Sequence, residues 1–160
     1  MLEKLTNTIV KILTYLCIIA ISVLAAIVFV QVFSRFFKIS LPATEELARL
    51  LIVWLTFLGA SLAIHEKMHL GVRYFVSLAS EKYQKIIDTF IYILTVALLA
   101  VLAFYGFKLS LSAMSTASAT LKVPMGIFYL AIPLSALFSI YFVVVHILNP
   151  KPEEQGEVNL

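Results

Sequence analysis

Four long apolar stretches, separated by short segments that carry nearly all the charge, set the pattern of this chain. They fall at about 12–33, 44–64, 85–108 and 124–148. Each has the roughly 20 residues that a helix needs to cross a hydrocarbon layer about 30 Å thick. In lipid every backbone polar group must be bonded within the spanning structure, so only helices and closed barrels cross. No barrel-type alternation with a period of two runs through these stretches. The pattern therefore predicts an all-α integral membrane protein with four transmembrane helices and a short tail at 150–160.

Local signals place the ends. Pro124 suits the first turn of the fourth helix, where its missing donor costs nothing, and Asn149-Pro150 closes that helix. Ser80 and Glu81 read as a helix start, with Glu81 and Lys85 a favourable i,i+4 pair. Residues 109–123, rich in Ser, Thr and Ala, read as a small-residue hairpin, and the acidic tail reads as disordered. Lys4 and Lys11 ahead of an apolar run give the N-terminus the look of a signal peptide. The run of about 22 residues exceeds the usual 7–15, and Arg35, Phe36 and Phe37 follow where a cleavage site would need small residues. The first helix is expected to be retained.

Composition sharpens the class. Of the 160 residues 62% are hydrophobic and 13% charged, and the mean hydropathy is +1.03. Soluble domains run near 45–50% apolar and about 25% charged. A secreted disulfide scaffold, a disordered chain and a soluble nucleotide-binding enzyme are excluded. The net charge of +3 is scattered through loops rather than gathered on one face, which argues against nucleic acid. It reads better as topology. Four crossings put both termini and the second loop on one side, with Lys4, Lys11, Lys67, Arg73, Lys82, Lys85 and Lys151. The other side holds Arg35, Lys38, Arg49, Lys108 and Lys122. Seven basic residues against five favours cytoplasmic N- and C-termini under the positive-inside rule. The lone Cys17 permits no intrachain disulfide.

The second stretch carries the most informative cluster. Glu45 and Glu46 stand four and three residues before Arg49, so both carboxylates are placed to reach the guanidinium. A plain helix start would explain the acids through the macrodipole; a contact with another protein at membrane depth is the sharper reading. Below them Arg49, Val53, Thr56, Ala60 and Ala63 form a small or polar stripe, and Gly59 with Ala63 makes a small-xxx-small pair that permits close helix approach. Subunit-interface candidates are accordingly Arg35, Glu45, Glu46, Arg49, Thr56, Gly59, Ala60 and Ala63. Arg35 beside Phe36 and Phe37 reads as an interface anchor. Pro133 should kink the fourth helix, and Trp54, deep in the second, should pack on a neighbour. His65 and His69 are i,i+4, but two ligands are half of a usual zinc site, so no metal or cofactor is expected. No GxSxG, P-loop or Cys pair supports catalysis, and the string HEKMH (65–69) offers only the two histidines already weighed. The first helix lacks the embedded carboxylate that a small proton-coupled exporter needs, and no internal repeat suggests a self-contained transporter.

The strings VFSRF (32–36), TEELARLLIVWLTFLGA (44–60), MHLGV (68–72) and PMGIFYLAIPL (124–134), in this order and spacing, resemble the small membrane subunit of tripartite ATP-independent periplasmic (TRAP) transporters. The second string is the specific one. The family often has Trp just before Thr-Glu-Glu, where this chain has Ala43, and an acid where it has Arg73. The resemblance implies a multi-pass protein of the bacterial inner membrane, working with a large membrane subunit and, transiently, a periplasmic substrate-binding protein. It implies symport of an organic acid, sialic acid or a C4-dicarboxylate, driven usually by sodium. The large subunit would move substrate by an elevator motion while this chain widens and fixes its static scaffold, without catalysis. The competing readings are a self-contained channel or carrier and a membrane redox anchor using the histidines.

Overall fold

The computed structural model describes residues 2–67 and 81–148. They form four helices: α1 (Leu2–Phe36), α2 (Pro42–Lys67), α3 (Glu81–Ala113) and α4 (Gly126–Leu148). Each contains a stretch long and apolar enough to cross a membrane. The fold is all-α, as the four apolar runs require. The principal contacts run α1 to α2, α2 to α4 and α4 to α3. α4 is the most connected helix: it packs along α2 and α3 and also meets α1 through the Thr6–Tyr141 hydrogen bond.

α4 is the spine. Its buried residues include Phe128, Ala131, Ser135, Ala136, Ser139, Phe142 and Val143, which cover more than one side of the helix. On one side Leu13, Leu58 and Phe142 bring α1, α2 and α4 together, with Val10, Trp54 and Tyr141 packed around them. On the other, Leu99, Ala136 and Val143 join α3 to α4, with Ile64 of α2 against them. Small residues let the backbones close. A Cβ on Gly106 would lie 2.9 Å from Ile132 Cγ2 and 3.1 Å from Pro133 Cδ, and one on Gly126 would lie 2.5 Å from the Ser110 carbonyl oxygen. The Ser110 hydroxyl also donates to the Gly126 carbonyl at 2.8 Å. Lipid gives little hydrophobic drive between helices, so this close approach and polar bonding hold them.

Several helix ends differ from the apolar runs, three of them informatively. α1 begins at Leu2 rather than near residue 12. Thr6, Ile9, Val10, Leu13 and Cys17 continue one stripe at helical spacing onto α4 and α2, and Thr6 Oγ1 and the Tyr141 hydroxyl share a hydrogen bond of 3.1 Å. Packing thus carries the helix beyond the apolar core. At about 1.5 Å per residue it spans roughly 52 Å, so its ends project past the hydrocarbon. α3 runs past Lys108 to Ala113, because Ser110 is buried against Gly126. α4 starts at Gly126, not Pro124. Pro124 instead bridges to Ala117 in a tight antiparallel hairpin, closed by Ser118 N–H to the Val123 carbonyl and Met125 N–H to the Thr116 carbonyl, both 2.8 Å. Pro133 is buried within α4.

The α1–α2 turn is a Schellman closure. Ile39 N–H bonds the Ser34 carbonyl at 2.9 Å and Lys38 N–H bonds the Arg35 carbonyl at 3.0 Å. Lys38 takes the left-handed position at φ 59°.

Candidate functional site at the entrance of the second helix

The first turns of α2 stand beside the α1–α2 turn and beneath the α3–α4 hairpin, so three chain segments meet there. The two acids divide between them. Glu46 Oε2 accepts hydrogen bonds from Thr120 N–H at 2.9 Å and Leu121 N–H at 2.8 Å. Two amides on one carboxylate oxygen are charge-assisted bonds that pin the hairpin to α2. The Ser118 hydroxyl, 1% exposed, is buried beside the same carboxylate. Glu45 turns the other way, to Arg35 of α1, with 3.8 Å between Oε1 and Nη2 and both side chains at least half exposed. Gln31 Nε2 adds a second α1–α2 tie by donating to Thr44 Oγ1 at 3.4 Å.

The expected joining of both carboxylates to Arg49 is therefore corrected. Helical spacing put the three residues on one face, but the hairpin amides and Arg35 take the carboxylates. Arg49 is exposed and makes no ion pair among the described residues. It heads an open face. Thr56, Ala60 and Ala63 are exposed, and a Cβ on Gly59 would meet nothing within 4 Å. Among the described residues this stripe is largely exposed, whereas the α3–α4 contact closes through Gly106 and Gly126.

Trp54 packs at the α1–α2–α4 junction and donates from Nε1 to the Ile127 carbonyl at 3.1 Å. His65 packs against Phe142 with the rings tilted and their centroids 4.8 Å apart, and the His146 and Tyr92 centroids are 6.3 Å apart. His69 and Arg73 lie outside the described residues, as does the tail; the side chains of Glu81 and Lys85 do too. Among the described residues no three His, Cys, Asp or Glu gather as metal ligands. The sequence reading missed the amides of Thr120 and Leu121, the Ser110–Gly126 bond and the two closely packed glycines. The Ala103, Gly106, Ser110 spacing in α3 was a signal that could have found the last.

The sequence profile of the DctQ component of tripartite ATP-independent periplasmic transporters matches residues 24–151. The chain belongs to this family. A candidate TRAP transporter small permease protein of Haemophilus influenzae is 38% identical over 78 residues, which is 48% of this chain and 48% of that relative. The matched segment thus spans about half the length of this curated relative. As a DctQ-family protein with four apolar helices, the chain is a multi-pass protein of the inner membrane. The family match takes in the whole α2 entrance and the hairpin pinned to it. It leaves out the N-terminal part of α1, where Thr6 and Val10 extend the packing stripe.

Proposed function

We propose that this chain is the non-catalytic small subunit of a TRAP-type secondary transporter, a static wall against which a larger membrane subunit is held while that subunit carries substrate. Both termini face the cytoplasm, and the polar end with the hairpin faces the periplasm. The large subunit rests on the open face of α2 formed by Arg49, Thr56, Gly59, Ala60 and Ala63. Arg35 and Glu45 lie at the periplasmic rim of the same scaffold, and a substrate-binding protein docks transiently at that end of the complex. The cargo is an organic acid taken up with sodium, with sialic acid favoured over a C4-dicarboxylate.

The observation that carries this reading is the α2 face. Small and polar residues are the surfaces by which membrane helices associate, and here such a surface is largely exposed, whereas the α3–α4 contact closes through Gly106 and Gly126. Among the described residues no Asp, Glu, Lys or Arg is buried between the helices. Glu45, Glu46 and Arg49 cluster at one end of α2, and the buried centre of α4 offers serines and apolar residues. Intramembrane ionisable groups mark transport paths, so the moving site belongs to the partner.

The test is uptake in proteoliposomes holding the large subunit with and without this chain, fed by the loaded binding protein. Loss of uptake and of co-purification without the chain is expected. Uptake at full rate from the large subunit alone, or by this chain alone, overturns the proposal.

A further inference from the structure

The α1–α2 turn encloses a polar pocket of about 240 Å³, lined by Gln31, Ser34, Arg35, Lys38, Ser40 and Glu45 among others. Its walls are fixed. The Schellman closure sets the backbone, Ser34 Oγ donates to the Gln31 carbonyl at 2.9 Å, and Gln31 reaches Thr44. Two cations and one carboxylate converge on it. The single Arg35–Glu45 contact at 3.8 Å leaves most of the five guanidinium donors and the second carboxylate oxygen open to another partner.

The surroundings say what kind. Phe36 is 84% exposed, and Phe37 and Ile39 are exposed beside it, with the two rings edge to face at 5.7 Å. Arg35 ends the apolar span of α1, and a basic side chain at the end of a span reaches to headgroup level. An ionic pocket therefore borders an apolar shelf at the depth where a lipid changes from headgroup to acyl chain. A phosphodiester alone would satisfy Arg35 and Lys38 but would set a like charge against Glu45. A zwitterion satisfies all three.

We propose that this pocket holds the headgroup of phosphatidylethanolamine. Arg35 and Lys38 take the phosphate, Glu45 takes the primary ammonium, and Phe36, Phe37 and Ile39 cover the glycerol and the upper acyl chain. The lipid bridges α1 to α2 at the rim of the membrane, a role separate from the partner-facing stripe lower on α2.

Native mass spectrometry of the full chain, extracted from membranes in mild detergent and then delipidated, tests this. The chain is titrated with phosphatidylethanolamine, phosphatidylglycerol and soluble O-phosphoethanolamine. Phosphatidylethanolamine is expected to bind about tenfold tighter than phosphatidylglycerol, and the soluble headgroup, which lacks the shelf contacts, not measurably. Arg35→Gln with Lys38→Gln should weaken phosphatidylethanolamine about tenfold or more. Glu45→Gln should shift preference towards phosphatidylglycerol. Lys122→Gln, an exposed cation on the hairpin at the same end, should change nothing. Lys38→Gln alone is read as well, with the Trp54 emission melt confirming each fold. Retention unchanged in the double variant, equal loss with Lys122→Gln, or soluble headgroup binding as well as lipid would each overturn the proposal. So would loss of uptake in the double variant with lipid retention intact, which would make the surface a protein contact.

Discussion

Two glycine-to-alanine substitutions separate what holds the bundle together from what it offers to a partner. At Gly126 the added methyl would stand 2.5 Å from the Ser110 carbonyl oxygen and 2.8 Å from Met114 Cγ and Sδ, where ordinary contact begins at 3.4 Å. Met114 can swing away; a helix backbone cannot. α3 and α4 would have to part by close to an ångström, loosening the Ser110 to Gly126 hydrogen bond as they do. Overpacking of this kind costs about 1–3 kcal/mol, and the lost bond about 0.5–1.5 kcal/mol. The helix-propensity gain of alanine, about 1 kcal/mol in a helix interior, offsets only part of this, and less at a first turn. Gly126→Ala should therefore be destabilised by about 1–3 kcal/mol. At Gly59 the same methyl meets nothing within 4 Å, so the isolated chain should be unchanged or stabilised by up to about 1 kcal/mol. In the complex, however, that methyl would stand in the partner interface and lower the yield of co-purified large subunit. Thermal unfolding in detergent reads the first effect through Trp54, the sole tryptophan, whose Nε1 is bonded next door at Ile127. A Gly126→Ala melt at or above the parent's refutes the close α3–α4 approach. A Gly59→Ala chain that co-purifies its partner undiminished refutes the role given to α2.

Other outcomes follow from the same geometry. Glu46→Ala should release the hairpin, so that the Thr120 and Leu121 amides exchange hydrogen faster while amides in the centre of α4 do not; unchanged exchange would show that the carboxylate does not hold them. Trp54→Phe keeps most of the packing but leaves the Ile127 carbonyl without its donor, a loss of about 0.5–1.5 kcal/mol in unfolding free energy; a loss near the several kcal/mol typical of removing a core aromatic would make packing the larger part. Lys38→Gly relieves a left-handed residue at φ 59° and should stabilise the fold by about 0.5–1 kcal/mol while abolishing that lysine's share of phosphatidylethanolamine binding; a melt lowered by this change would mean that the lysine side chain stabilises the turn more than its backbone strains it.

The four crossings were legible because hydrocarbon thickness imposes them on hydropathy directly. The ends were less so. α1 continues to Leu2 through Thr6, Ile9 and Val10, residues too mixed in polarity to register as a span but correctly spaced to pack on α4 and α2. Pro124 had the right chemistry for a first helical turn, yet the cross-strand bonds of the hairpin hold it outside the helix. The Glu45, Glu46 and Arg49 group was found from spacing, but spacing reports only neighbours on one helix. The true partners, Arg35 and the amides of Thr120 and Leu121, come from 10 residues before Glu45 and more than 70 after Glu46. Gly59 drew notice through its pairing with Ala63, whereas the close approach lies at Gly106, against the Ile132 and Pro133 side chains, and at Gly126, against the Ser110 carbonyl. A small-residue motif says that a helix can be approached, and only the fold says by what.

Photo-cross-linking within the intact complex tests the central assignment most directly. A photoreactive side chain is placed in turn at Thr56, Ala60 and Ala63 on α2, and at Leu94, Leu98 and Val101 on the exposed face of α3. The α2 positions are expected to capture the large membrane subunit and the α3 positions to yield lipid adducts. Capture from α3 with none from α2 would contradict the account.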